Sequence, residues 1–130
     1  MDILVAYEES EVGRIILETA IRHAKAFNAK LFLVMSMMGG GEVPDEVFVN
    51  AEKLLEKAKK RCTDESIECE TRMLVRGLEP GDDIVRFAEE KQIDEIIIGI
   101  KKKSKLGKLL FGSNAQYMIL NAPCPVLTVK

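Results

Sequence analysis

The sequence predicts an α/β fold, a three-layer sandwich with a parallel sheet at its centre. Three observations predict it. Five short β-type runs, residues 3–7, 31–35, 71–75, 96–98 and 126–129, alternate with stretches whose apolar residues recur at three- and four-residue steps. Several of those runs are continuously apolar, the pattern of strands covered on both faces. The chain has 130 residues, 47% of them hydrophobic, which suits one domain over 1–130 with no linker and no internal repeat. Strand and helix in alternation then bring right-handed crossovers.

The first run leads into a helical face of Val12, Ile15, Ile16, Thr19, Ala20, Ala24 and Phe27. His23 is the only histidine, and its step continues that apolar stripe, so it reads as a helix-packing residue. The second run is followed by a flexible-looking loop, 37–43, holding Gly39, Gly40 and Gly41. Pro44 suits a first helical turn, and it opens a second face of Val47, Ala51, Leu54, Leu55, Ala58 and Cys62. A third helix begins near Pro80 with Asp82 and Asp83 at the positive end of its dipole, a role that comes before any reading as metal ligands. The fourth begins at Ser113, an N-cap residue type, and turns Ala115, Met118 and Ile119 inward.

Composition excludes several classes. The apolar run 31–35 is the longest strong one, far short of the ~20 residues needed to span a bilayer. Met1-Asp2 is acidic where a secretory leader is basic, so the expectation is a soluble, cytoplasmic protein without a membrane partner. Cys62, Cys69 and Cys124 form no CxxC pair and are odd in number, which predicts free thiols rather than disulfides or zinc. Cys124, between two prolines, reads as a small packing residue. With a single histidine, neither a Ser-His arrangement nor a histidine-rich metal site is available, so no catalytic residue and no metal ligand is assigned. Aromatics make up 5% of the chain and tryptophan is absent, which argues against a nucleic-acid stacking surface.

Charge is distributed unevenly. The formal net charge is -2, yet no Asp or Glu follows Glu95. Six of the 19 basic residues (Lys101, Lys102, Lys103, Lys105, Lys108 and Lys130) lie beyond it, leaving 13 against all 21 acids in the first 95 positions. A basic tract on an acidic chain suggests a local anion site. In an open parallel sheet, ligands bind beyond the carboxyl ends of the strands, where the strand order reverses. The loop 99–113 occupies such a place, carries glycines at 99, 107 and 112, and ends in Gly112-Ser113 at a helix start. Free N–H groups and the helix dipole there stabilise an anion, glycine permits close approach, and the Ser113 hydroxyl can donate to an oxygen. The same pair also fits an ordinary turn glycine and N-cap. Neither a Walker loop nor GxGxxG is present, because Leu109 follows Gly107-Lys108 and the first strand leads into Tyr7-Glu8-Glu9-Ser10.

From its opening Ile3-Leu4-Val5-Ala6 and Ser10 to Asn121-Ala122-Pro123-Cys124-Pro125-Val126-Leu127, the chain resembles the universal stress protein family. Gly99, the nine residues 103–111 and Gly112-Ser113 match the Gly-x2-Gly-x9-Gly-Ser/Thr of its ATP-binding members. The resemblance implies a Rossmann-like, adenine nucleotide alpha hydrolase-like sheet of five strands in the order 3-2-1-4-5. It also implies a homodimer pairing the last strand, Val126, Leu127, Thr128 and Val129, across an axis, which would protect an apolar edge. Two departures stand out: Lys102 occupies the motif's second glycine, and Glu8-Glu9-Ser10 replaces the usual Asp-Gly-Ser.

The resemblance implies a small regulatory protein that binds ATP, with Mg, or a related adenine nucleotide, and hydrolyses it slowly or not at all. Gly99, Lys102, Gly112, Ser113 and Asn114 would hold phosphates, Glu8 and Ser10 would line the first loop near ribose or metal, and Ser36 would lie near a base resting on Met35–Met38. The two departures keep an alternative open: a dimeric interaction module without nucleotide, whose lysine loop meets an acidic partner.

Overall fold

The computed structural model describes residues 1–8, 10–38, 43–100 and 112–130. Among them the elements run β1 (Asp2–Ala6), α1 (Glu11–Phe27), β2 (Lys30–Ser36), α2 (Asp45–Asp64), β3 (Cys69–Leu74), α3 (Pro80–Glu90), β4 (Glu95–Gly99), α4 (Ser113–Asn121) and β5 (Val126–Val129). The strands form one sheet in the order β3-β2-β1-β4-β5, every neighbouring pair parallel. That is the predicted alternation and the implied strand order.

Successive side chains on each strand go to opposite faces. Ile3, Val5, Leu31, Leu33 and Ile97 pack with Ile16, Leu17, Ala20 and Ile21 of α1 and with Leu55, Ala58 and Cys62 of α2. Leu4, Phe32, Val34, Ile96 and Ile98 face the other way, toward Ile84, Val85, Phe87 and Ala88 of α3 and Met118 of α4. Two cores flank the sheet, which is why its central strands run continuously apolar between their ends, as in Ile3–Val5, Leu31–Met35 and Ile96–Ile98.

Three helix exits share one device. Asn28, Ser66 and Gln92 take positive φ values of 52°, 60° and 53°. The next N–H, of Ala29, Ile67 or Ile93, donates to the carbonyl five residues back, of Ala24, Cys62 or Ala88, at 2.9, 3.0 and 2.9 Å. Ala29, Ile67 and Ile93 are buried, adding the apolar contact that completes such a cap.

Four expectations need correction. Gly112, not Ser113, is the N-cap of α4, and it makes no side-chain capping bond; Ser113 is the first helical residue. Ile119 is 41% exposed, because the inward stripe of α4 runs through Ala115, Met118 and then Ala122. Phe27 and Val47 are exposed, each at the end of a helix whose buried stripe stops short of it. His23 is more than a packing residue: its Nδ1 lies 3.0 Å from Glu95 Oε1 at the start of β4, with Phe27 edge-on to the ring.

All three cysteines are free. Cys62 and Cys69 share the core under α2, and the neighbouring Cys62 thiol together with burial pushes Cys69 far above the ordinary thiol range. Burial, with Asp94 and Glu95 nearby, likewise pushes Cys124 up, so it stays protonated. No helix among the described residues is long and apolar enough to cross a membrane.

Candidate functional site

The chain leaves β1 toward β2 on one side and returns through β4 on the other, so the order reverses between β1 and β4. Beside the carboxyl ends of these strands lies a cleft of about 280 Å³. The strands contribute Ala6, Val34, Ser36, Ile98 and Gly99, and Tyr7 and Glu8 follow β1. The helices contribute Pro80 and Ile84 of α3 with Asn114, Ala115 and Met118 of α4. Of the predicted site residues, Glu8, Ser36, Gly99 and Asn114 are thus brought together.

Local constraints explain how each is held. The Tyr7 N–H donates to the Val34 carbonyl at 3.0 Å, so the loop after β1 begins in register with β2. That loop runs against α1 so closely that a Cβ on Gly13 would stand 2.0 Å from the Glu8 carbonyl oxygen. Ser10 is the N-cap of α1: its Oγ accepts from the Gly13 N–H at 3.0 Å, which uses one lone pair of the hydroxyl on the helix start. Gly99 has a packing reason of its own, since a Cβ there would meet Val12 Cγ1 and Ile16 Cδ1, each at 2.6 Å.

The first turns of α3 and α4 are locked together. Asn114 Oδ1 accepts from the Gly81 N–H at 2.9 Å, and a Cβ on Gly81 would lie 2.9 Å from the Asn114 carbonyl oxygen. Two helix N-termini therefore meet at the cleft, and both direct positive dipole ends toward it. In α4 the first intrahelical bond is Gln116 N–H to the Gly112 carbonyl, and its first turn carries no acid. The N–H groups of 113–115 precede that bond, as at any helix start. Gly112 and Ser113 stand exposed at the head of α4, and a Cβ on Gly112 would meet no described residue within 4 Å. Lys102, Glu9 and the lysine tract 101–108 lie outside the described residues.

Sequence reasoning missed the centre of the polar network. Asp83 stands in the first turn of α3, as expected of a complement to the helix dipole, but it is also wholly buried. Its Oδ2 accepts from the Ser36 hydroxyl at 2.7 Å and its Oδ1 from Arg76 Nε at 2.6 Å. Arg76 Nη2 also donates to the Asp83 carbonyl at 3.1 Å, and Nη1 reaches both Glu90 oxygens at 2.9 and 3.1 Å. Burial opposes the Arg76 charge, but hydrogen bonds to Asp83 and Glu90 raise its pKa. Asp82 is half-buried and accepts from Arg86 at 3.0 Å.

A larger hollow of about 390 Å³ sits at the opposite end of the sheet, lined by Lys25, Lys30, Glu65 and Glu68 among others. Lys25 pairs with Glu65, and Lys30 with Glu68 and Glu70, so its charges are already matched. Among the described residues no group of three His, Cys, Asp or Glu side chains could hold a metal ion.

Residues 1–130 match the universal stress protein family. A universal stress protein of Methanocaldococcus jannaschii is 32% identical, over 98% of this chain and 81% of its own. The solved structure of a universal stress protein from Archaeoglobus fulgidus superposes with a TM-score of 0.88 at 39% identity, covering 100% of this chain and 93% of that one. Another from the same organism, solved in complex with dAMP, gives a TM-score of 0.84 at 34% identity, over 99% of this chain and 96% of the other.

Proposed function

The chain belongs to the universal stress protein family, and from that premise we propose that it is a regulatory protein binding an adenine nucleotide in the cleft beside β1, β2 and β4. One observation carries the reading: the cleft joins an apolar half to the converging starts of α3 and α4, at the point where strand order reverses. Val34, Ile84, Ile98 and Met118 suit a purine ring, and the amides heading α4 suit its phosphate. The relative solved with dAMP supports the choice of purine.

In this reading Gly112, Ser113, Asn114 and Gly99 cradle the phosphates with Lys102 beside them, and Glu8 and Ser10 belong to the ribose or Mg side. ATP is the expected ligand, with Mg, and the protein is a regulator rather than a rapid hydrolase. The free thiols suit a reducing, cytoplasmic setting. Saturating a native-state site at 100 times its Kd adds about 2.7 kcal/mol of stability. For a chain of this size that is roughly a 10 °C rise in melting temperature with Mg-ATP or AMP. No shift at millimolar nucleotide would overturn the reading.

Pairing of β5 with its copy in a homodimer belongs to the same proposal. β5 is the last strand of the sheet, with β4 on one side only, and at the end of α4, the helix that leads into it, Leu120 is 80% exposed and Ile119 is exposed too. A nucleotide-independent module would share that dimer but meet an acidic partner through its lysine loop. Leu120→Glu is expected to convert the dimer to monomer by light scattering; a wild-type monomer at micromolar concentration would remove the dimer from the proposal.

A further inference from the structure

The hydrogen bonds around Asp83 give Ser36 a fixed polarity. The carboxylate is fully buried, and Arg76 Nε donates to its Oδ1 at 2.6 Å. An ionised carboxylate can only accept, so the 2.7 Å bond between Ser36 Oγ and Asp83 Oδ2 uses the serine's only proton. Ser36 nevertheless lines the cleft, next to Val34 on β2 and across from Ile84 on α3. What its oxygen has left to offer is lone pairs. Toward a ligand it is an acceptor and cannot become a donor without breaking the bond to Asp83.

Resting on the adenine-nucleotide reading, we infer that Ser36, with its proton held by Asp83, selects a 6-amino purine over a 6-oxo purine. The 6-amino group donates to the Ser36 oxygen. A 6-oxo group instead sets oxygen against oxygen in a partly dry cleft, where an unmatched acceptor is penalised. Tyr7, Glu8 and Asn114 also line the cleft, Tyr7 and Glu8 just after β1 and Asn114 on α4, where its Oδ1 is committed to Gly81; Ser36 is the lining side chain whose proton is held by a buried carboxylate. Asp83 acts through Ser36 and is a positioning residue; Arg76 fixes Asp83 in turn.

The test is calorimetric titration of the full chain with AMP and IMP, which differ at ring position 6 and, in consequence, at N1, a bare acceptor in AMP and an N–H donor in IMP, so the change in their ratio on removing the Ser36 oxygen is the deciding quantity. Wild type is expected to favour AMP by roughly tenfold, the discrimination of one such hydrogen bond. Ser36→Ala should bring the ratio near unity, chiefly by weakening AMP. Asp83→Asn puts an amide N–H opposite Ser36 Oγ, frees the serine proton to face the cleft, and should move the preference toward IMP. A purely structural role for either residue would weaken both ligands alike. An unchanged ratio in Ser36→Ala overturns the inference even if Asp83→Asn fails to fold. Equal wild-type binding of AMP and IMP overturns it while leaving nucleotide binding intact; binding of neither removes the underlying reading and this inference with it.

Discussion

Arg76→Met is expected to lower the unfolding free energy by about 3–5 kcal/mol, the loss seen when one partner of a buried ion pair is removed. The asymmetry of burial sets the size. Arg76 keeps 33% of its side chain exposed, whereas the Asp83 carboxylate has none. Without the guanidinium, Asp83 keeps, among the described residues, only the Ser36 hydroxyl bond on its side chain, and a buried carboxylate held by one neutral donor is poorly compensated. Arg76 also follows β3 and reaches Glu90 in the last turn of α3, so the substitution loosens the β3–α3 connection as well. Lysine would restore charge but not the fork that grips Asp83 Oδ1, the Asp83 carbonyl and Glu90 together. Urea unfolding measures the effect, with the double variant Arg76→Met, Asp83→Leu expected to be less destabilised than the single one. A loss below about 1 kcal/mol for Arg76→Met would mean that water replaces the guanidinium at no real disadvantage.

The layers were legible in the sequence because burial on both faces forces a local signature. A strand such as 31–35 has no polar alternation to offer, and it flanks helices whose stripes are wide. The helix exits were not legible. Asn28, Ser66 and Gln92 adopt left-handed backbone where glycine would have announced it, and only Asn28 belongs to a residue type often found there. The Ile119 error has a similar origin. On a nine-residue helix, one apolar position more or less decides the phase of the stripe, and Ala122 rather than Ile119 continues it.

The candidate site was legible in part, and the division follows range. Glu8, Gly99 and Asn114 stand at strand or helix ends, where topology alone puts them at the cleft. Asp83 gives no such signal. Ser36 lies 47 residues from it and Arg76 lies 7, and two adjacent aspartates at a helix start look alike until one is buried and the other is not. Gly99 shows the reverse hazard. It fits a phosphate motif, yet the space it leaves is filled by Val12 and Ile16 of α1, so packing by itself demands the glycine. A motif match and a packing requirement coincide there, and only Gly112 is free of the second explanation.

That contrast makes the glycines the sharpest probe of the whole reading. Gly13→Ala is expected to be among the most damaging single-methyl changes available, about 3 kcal/mol or more. The added Cβ would stand 2.0 Å from the Glu8 carbonyl oxygen, and that oxygen is backbone, unable to swing aside as a side-chain tip could. Helix α1 cannot slide away either, because Ile16, Leu17, Ala20 and Ile21 are anchored in the core. Gly112→Val should do the opposite. Its φ of -64° suits any residue and, among the described residues, nothing lies within 4 Å of the new Cβ, so stability without ligand should stay within about 1 kcal/mol of wild type. If phosphate approaches the head of α4, however, the valine branches occupy the space it needs, and the nucleotide-induced rise in melting temperature should vanish. Loss of the shift in a variant that melts normally assigns the effect to the ligand rather than to the fold. Retention of the full shift in Gly112→Val would move the phosphate away from α4, and normal melting of Gly13→Ala would mean that the loop after β1 yields to α1.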